Sequence, residues 1–143
     1  MNYWIPLLIA SIDQMSKRLA TFYFHKGITK SFLCFQNEYI WNKGISFGLF
    51  SDSYYFILIY FFIIISAFAV IYQWAKTKNF KDSIALGLIV GGGFSNLFDR
   101  IFFGAVLDFI SIKFYYNLPI FNFADIAITV GALILSRKLF SIK

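Results

Sequence analysis

Two aspartates stand out because each lies at the edge of a hydrophobic stretch, Asp108 in GAVLDF and Asp125 in FNFADI. A carboxylate near a lipid bilayer is costly, so its presence there indicates a function. Two such acids that approach each other cannot easily both be charged, and they share one proton. The ionised member can take a proton from water while the protonated member donates one. The two residues therefore suggest the acid–base chemistry of aspartic proteases.

A structural role for Asp125 is also open. Asn122 and Asp125 have the spacing of a helix N-cap followed by an acid at the third helical position, so Asp125 could simply cap a helix. Other reactive residue types offer less. His25 is the single histidine and has no obvious partner for nucleophilic catalysis, while Cys34, the single cysteine, excludes an internal disulfide. Aspartates and asparagines alone supply too few ligands for a metal site, so we expect no metal.

The composition is that of an integral membrane protein. Of the 143 residues, 59% are hydrophobic and only 14% are charged, whereas soluble domains average about a quarter charged residues. The length indicates a single domain, residues 1–143. The net charge is +6, and the basic residues are spread among the predicted membrane ends. This distribution favours contact with anionic membrane lipids and argues against nucleic acid as a partner.

Four hydrophobic stretches predict transmembrane helices at about residues 3–24, 54–74, 83–101 and 121–140. Four spans put both termini on one side of the membrane. The density of basic residues in the short connection 75–82 and at the C-terminal end favours the cytoplasm for that side. The longer connections, 25–53 and 101–120, then lie outside, where alternating and aromatic runs predict short strands or a membrane-surface segment. The predicted fold class is all-α membrane protein.

Other polar residues converge on the same predicted surface. Asp13 lies in the outer part of the first span, and Asn42 lies in the first outer connection. Asn96 and Arg100 lie at the outer end of the third span, one and two helical turns after Gly92. Residues four apart share one face of a helix, so these three form a stripe.

Two features of the spans are open to a structural interpretation. The run 91–93 (GGG) removes side chains and lets either a neighbouring helix or a substrate come close. Asp13 and Lys17, four apart, could form an ordinary intrahelical ion pair or could order the site.

Five segments, taken in chain order, resemble the prolipoprotein signal peptidases of bacteria (signal peptidase II). They are residues 13–17 (DQMSK), 42–48 (NKGISFG), 91–100 (GGGFSNLFDR), 104–109 (GAVLDF) and 121–125 (FNFAD). The resemblance covers residues 13–131, and five ordered motifs at compatible spacing are specific.

The resemblance implies that Asp108 and Asp125 are the catalytic residues. The residues that would bind the substrate or support the site are Asp13, Lys17, Asn42, Gly44, Asn96, Asp99, Arg100 and Asn122. The implied reaction removes the signal peptide from a diacylglyceryl-modified prolipoprotein, cutting just before the lipidated cysteine, without metal or cofactor. The implied fold has four transmembrane helices with a small β-rich periplasmic cradle and a surface segment.

Partners and location follow from the same resemblance. The chain would act on lipidated prolipoproteins among membrane lipids, as a monomer in the bacterial inner membrane, with both termini cytoplasmic and the site near the periplasmic face. A small transporter or a non-catalytic assembly protein is the alternative, although a transporter would place charges through several span centres. Ser95 replaces a glycine of the family pattern and Ile126 replaces a serine, while Lys43 and the pair at 45–46 (IS) also depart from it. These departures bear on substrate preference more than on the reaction.

Overall fold

Four helices and one small sheet make up the part of the chain that the computed structural model describes, residues 4–25, 39–43, 56–111 and 120–140. Residues 56–60 and 138–140 are described as backbone only. The elements in chain order are α1 (Trp4–His25), β1 (Ile40–Asn42), α2 (Phe56–Lys76), α3 (Phe80–Phe103), β2 (Val106–Asp108) and α4 (Phe123–Phe140). The predicted helical class is therefore confirmed, with a helix over each of the four hydrophobic stretches.

Helix α3 is central and packs against the other three helices. Its glycine run makes this possible. A Cβ on Gly91 would lie 2.8 Å from the carbonyl oxygen of Pro6 in α1, and a Cβ on Gly92 would lie 2.5 Å from the carbonyl oxygen of Ala124 in α4. A Cβ on Gly93 would meet nothing within 4 Å. Successive helical residues point about 100° apart. Gly91 therefore faces α1, Gly92 faces α4 and Gly93 faces open space.

The end of α3 redirects the chain toward the sheet. Gly104 adopts a left-handed conformation (φ 71°) as the C-cap, and its N–H donates to the carbonyl of Arg100. Glycine is favoured there because it has no Cβ to clash. Strand β2 then pairs antiparallel with β1, with Asn42 opposite Val106 and Ile40 opposite Asp108. Strands were predicted in the connections 25–53 and 101–120, and each contains one strand of three residues, β1 and β2. The rest of the prediction falls on residues 26–38, 44–55 and 112–119, which lie outside the described ranges.

The distribution of polar residues is inverted relative to a water-soluble protein. Among the side chains that the structure describes, the largest fully buried ones are Asn122, Asp13, Asp82, Asp99, Asp108 and Ser95, all polar. Large apolar side chains such as Leu7, Phe68 and Leu133 are mostly exposed, at 71%, 69% and 65%. This arrangement fits a chain whose surroundings are apolar.

Length and composition single out one helix as able to cross a membrane among the described residues, namely α3, and residues Phe61–Lys76 of α2 form a shorter apolar helix. Helix α1 has sufficient length but carries Asp13, Lys17 and Arg18. Two of these three side chains, Asp13 and Lys17, are buried inside the bundle, which is where a charge inside a span must lie.

Candidate active site

Asp108 is the last residue of β2 and is held by two asparagine side chains. Asn42 Nδ2 donates to Asp108 Oδ2 over 3.0 Å, and Asn122 Nδ2 donates to Asp108 Oδ1 over 2.7 Å. The first contact follows from the strand register, because Asn42 and Asp108 are diagonal neighbours on one face of the two-stranded sheet. Each carboxylate oxygen of Asp108 therefore has an amide donor.

Asp125 lies in the first turn of α4, in a reciprocal cap. Asn122 Oδ1 accepts from the N–H of Asp125 at 2.9 Å, and Asp125 Oδ2 accepts from the N–H of Asn122 at 3.3 Å. This is the capping box that the sequence indicates. The cap uses only one carboxylate oxygen of Asp125. The other, Oδ1, accepts a hydrogen bond from Asn96 Nδ2 at 2.8 Å. Capping and a role in the site are thus combined in one side chain.

A short antiparallel pairing brings the two aspartates to the same place. Ile110, two residues after Asp108, pairs with Phe121, and their backbone hydrogen bonds measure 2.8 and 3.0 Å. Asn122 follows directly and begins α4. Its side-chain Nδ2 also lies 3.2 Å from Asn96 Oδ1. An asparagine bridge, Asn122 to Asn96, therefore links the two carboxyl groups.

Both aspartates line a cavity of about 780 Å³ between α2, α3 and α4. Its walls are mostly apolar, for example Val70 of α2, Phe94 of α3 and Val130 of α4. The lining also includes five polar side chains that the sequence predicts for the site: Asn42, Asn96, Arg100, Asp108 and Asp125. Large apolar cavities with a few convergent polar groups are typical of ligand sites.

Behind the two aspartates lies a ring of five side chains contributed by α1 and α3. Four are buried, namely Asp13, Lys17, Ser95 and Asp99, and Gln14 is half-buried. Lys17 Nζ lies 2.5 Å from Asp13 Oδ2 and 2.7 Å from Asp99 Oδ2. Gln14 Nε2 donates to Asp99 Oδ1 at 2.7 Å and to Ser95 Oγ at 3.1 Å. Ser95 Oγ donates to Asp13 Oδ2 at 2.7 Å, which closes the ring.

The ring contacts the site at two points. Lys17 Nζ donates to Asn96 Oδ1 at 3.2 Å, which orients the amide so that Asn96 Nδ2 faces Asp125. Asp13 Oδ1 accepts from the N–H of Ala124 at 2.9 Å and so binds a backbone amide in the first turn of α4, where no helical carbonyl is available to it. Asp13 and Lys17 are thus both an intrahelical pair and an ordering element.

Burial raises the pKa of Asp108 from 3.8 to about 6, and the nearby Asp125 carboxylate adds to the shift. The donors Asn42 and Asn122 act in the opposite direction, because they favour the charged form. A carboxyl group with a pKa near 6 can hold a proton close to neutral pH, as a general acid must.

The structure brings together nine of the ten residues that the sequence predicts for the site: Asp13, Lys17, Asn42, Asn96, Asp99, Arg100, Asp108, Asn122 and Asp125. Gly44 lies outside the described residues. Arg100 lines the cavity, and its Nη1 donates to the carbonyl of Asn96 at 3.3 Å. No three His, Cys, Asp or Glu side chains within the described ranges are grouped so that they could hold a metal ion.

Two residues of the ring have no role that the sequence alone predicts. Gln14 stands out in the sequence only as part of a motif, and Ser95 only as a departure that bears on substrate preference. Ser95 is buried against Asp13 and Gln14 instead of lining the cavity. The position of Gln14 next to Asp13 is the one feature of the sequence that could have indicated its place in the ring. For Ser95, the one such feature is its position directly before Asn96.

Comparison with known proteins agrees with this geometry. A family model described as signal peptidase (SPase) II matches residues 5–141. The chain belongs to the signal peptidase II family. It is 35% identical to a lipoprotein signal peptidase of Anaplasma marginale (strain Florida) over 130 residues, covering 89% of this chain and 76% of the relative. It is 41% identical to a lipoprotein signal peptidase of Wigglesworthia glossinidia brevipalpis over 116 residues, covering 78% and 76%.

Solved structures support the same assignment. A bacterial membrane enzyme determined at 2.3 Å resolution matches with a TM-score of 0.78 and 26% identity, covering 96% of this chain and 85% of that one. A second bacterial membrane enzyme, at 1.9 Å, matches with a TM-score of 0.73 and 25% identity, covering 98% and 92%. The chain is therefore a bacterial membrane protein of the signal peptidase II family, which favours proteolysis over transport or passive assembly.

Proposed function

We propose that Asp108 and Asp125 are the catalytic pair with which this signal peptidase II removes signal peptides from prolipoproteins. The observation that carries the proposal is the asparagine bridge, in which Asn122 binds Asp108 and Asn96 binds Asp125 beside one cavity. Two acids at separate ends of the fold could not act on the same peptide bond.

The proposed reaction uses one proton shared by the pair. The ionised aspartate takes a proton from a water molecule, whose oxygen attacks the scissile carbonyl carbon. The protonated aspartate donates its proton to the amide nitrogen as the C–N bond breaks. The proposed step consumes only water, and the two aspartates perform both proton transfers without a metal or cofactor. The raised pKa of Asp108 supports the presence of a proton on the pair near neutral pH.

The apolar cavity suits a substrate with lipid chains. Its walls come from α2, α3 and α4, while the two aspartates supply polar groups at the same surface. Each buried CH₂ of an acyl chain contributes about 0.8 kcal/mol, which can hold a diacylglyceryl cysteine next to the pair. The proposed cut is therefore just before that cysteine, and the partners are lipidated prolipoproteins and membrane lipids.

The proposed topology has four transmembrane helices in one domain, with both termini in the cytoplasm and the active site near the outer face. The buried polar ring inside α1 and α3 supports α1 as a true span despite its charges. We propose that the chain acts as a monomer, because one chain contributes all nine site residues that the structure describes. Reporter fusions at the two termini and in the connection after α3 test the orientation.

Substitution of each aspartate tests the catalytic role. Asp108→Asn and Asp125→Asn should each abolish cleavage of a diacylated precursor, because neither asparagine can exchange a proton. Asp82→Asn is the matched control. Asp82 is also buried, but it pairs with Arg137 over 3.3 Å and lies about 21 Å from Asn96 along α3. The control should lower the Tm but keep cleavage.

The measurement is a gel shift of purified precursor with equal amounts of folded enzyme. A variant of either catalytic aspartate that cleaves at the normal rate would remove the mechanism. An unmodified precursor of the same sequence is the second arm. Equal cleavage of lipidated and unmodified precursor would contradict the role of the cavity while leaving the catalytic pair in place.

A further inference from the structure

Ser95 occupies a buried position between α1 and α3 that the proposed reaction does not use. It is 1% exposed. Its Oγ donates to Asp13 Oδ2 at 2.7 Å and accepts from Gln14 Nε2 at 3.1 Å. The direction of both bonds is fixed by chemistry. A carboxylate can only accept, so the hydroxyl proton points to Asp13, and the Gln14 amide must present its nitrogen because it also faces the Asp99 carboxylate.

We propose that Ser95 is a positioning residue that holds Asp13 against the start of α4 and thereby fixes Asp125. The inference rests on the proposed function, in which Asp125 is catalytic. Asp13 Oδ2 is shared by Lys17 and Ser95, which leaves Asp13 Oδ1 aimed at the N–H of Ala124. Ala124 directly precedes Asp125, so a rotation of the Asp13 carboxylate changes the support of the turn that carries the catalytic acid.

The ring needs the Ser95 hydroxyl because its charges do not balance. Asp13 and Asp99 contribute two negative charges and Lys17 contributes one positive charge. The excess charge is stabilised by hydrogen-bond donors, namely Ser95, Gln14 and the amide of Ala124. Hydrogen bonds to a charged group are stronger than neutral ones. Loss of one donor on Asp13 leaves Lys17 and Ala124 to hold its carboxylate.

Two substitutions separate hydrogen bonding from packing. Ser95→Ala keeps the volume close to that of serine but puts a methyl group where the donor was. Ser95→Gly leaves space in which a water can bind between Asp13 Oδ2 and Gln14 Nε2 and replace the donor. We expect kcat to fall about 10-fold in Ser95→Ala, and by no more than about 3-fold in Ser95→Gly. A packing role gives the opposite order, because glycine leaves a void and weakens the helix.

The experiment measures kcat and KM for cleavage of a diacylated precursor, with each rate divided by the amount of folded enzyme. KM should stay within about 2-fold, since Ser95 does not line the cavity. Ser136→Ala, which removes a hydroxyl bonded only to the helix carbonyl of Leu133 at 2.9 Å, is the matched control and should behave as wild type.

The possible outcomes are distinct. The positioning role is overturned if Ser95→Ala has the same kcat as the control Ser136→Ala. It is also overturned if Ser95→Gly has a lower kcat than Ser95→Ala. Asp125→Asn is run in the same assay. If it is inactive while Ser95→Ala is normal, only the inference about Ser95 fails. If Asp125→Asn cleaves normally, the proposed catalytic pair itself fails.

Discussion

Removal of the Lys17 charge tests directly whether the buried ring behind the two aspartates is an electrostatic unit. Lys17 is 4% exposed and lies between two carboxylates, Asp13 at 2.5 Å and Asp99 at 2.7 Å, which are 0% and 1% exposed. Lys17→Met keeps most of the side-chain length and removes the ammonium group. Two buried negative charges then lose their only positive partner within the ring.

The expected cost is large because buried charges without a partner are poorly solvated. Breaking a buried pair by removing one member costs about 3–5 kcal/mol. For a chain of this size that corresponds to a fall in Tm of roughly 10–20 °C. Cleavage should fall as well, because Lys17 Nζ no longer donates to Asn96 Oδ1 and so no longer orients the amide that binds Asp125.

The assay is thermal unfolding in detergent together with cleavage of a diacylated precursor. Arg18→Met is the control, since Arg18 is the next residue of α1 and is exposed. Lys17→Met combined with Asp99→Asn returns the ring to its original net charge, so the double variant should recover part of the lost Tm. A Lys17→Met protein as stable as Arg18→Met would refute the view that the ring is an electrostatic unit.

Two further predictions concern the pKa of Asp108 and the contact between α3 and α4. Asn42→Ala removes a donor that favours the charged form of Asp108, so its pKa should rise further above about 6. The limb of the pH–rate profile that reports Asp108 should then move to higher pH by up to about 1 unit; an unmoved profile would contradict this assignment. Gly92→Ala should destabilise the fold by about 1–3 kcal/mol, because its Cβ would lie 2.5 Å from the carbonyl oxygen of Ala124. Gly93→Ala is the control and should not lower the Tm, because its Cβ would have nothing within 4 Å. Equal effects of the two glycine variants on the Tm would show that the close approach of Gly92 to α4 does not limit stability.

Local patterns were sufficient to predict the helices and the cap at the start of α4, whereas the catalytic role of Asp108 and Asp125 stays a prediction. A long apolar run specifies a helix by its length alone, and the spacing of Asn122 and Asp125 specifies the cap that starts α4. These features depend on neighbours within four residues. The same is true of the Gly92, Asn96 and Arg100 stripe, although the sequence could not say which of the three glycines faces a helix and which faces the cavity.

Tertiary partners were beyond the reach of the sequence. Ser95 lies 82 positions from Asp13, and Ala124 lies 111 positions from it. No periodicity encodes such a distance. The sheet was equally hard to locate, because strands of three residues are shorter than the four to eight residues over which alternation becomes a signal. The sequence predicts only that polar residues of the spans and connections share one membrane surface, and the side on which they lie stays a prediction.

The donors around the four site carboxylates differ between the proposed catalytic pair and the two aspartates of the ring. Asp13 and Asp99 each contact the Lys17 ammonium at 2.5 and 2.7 Å. The ammonium group donates to both carboxylates and holds them in place. The hydrogen bonds that Asp108 and Asp125 accept come instead from uncharged amides, those of Asn42, Asn96 and Asn122. An amide positions a carboxylate without supplying a charge to keep it ionised, so burial can raise the pKa of Asp108 toward neutrality. Replacing Asn42 with Lys would test this division. An ammonium group beside Asp108 should lower its pKa and move the limb of the pH–rate profile that reports Asp108 to lower pH, whereas Asn42→Ala should move it to higher pH.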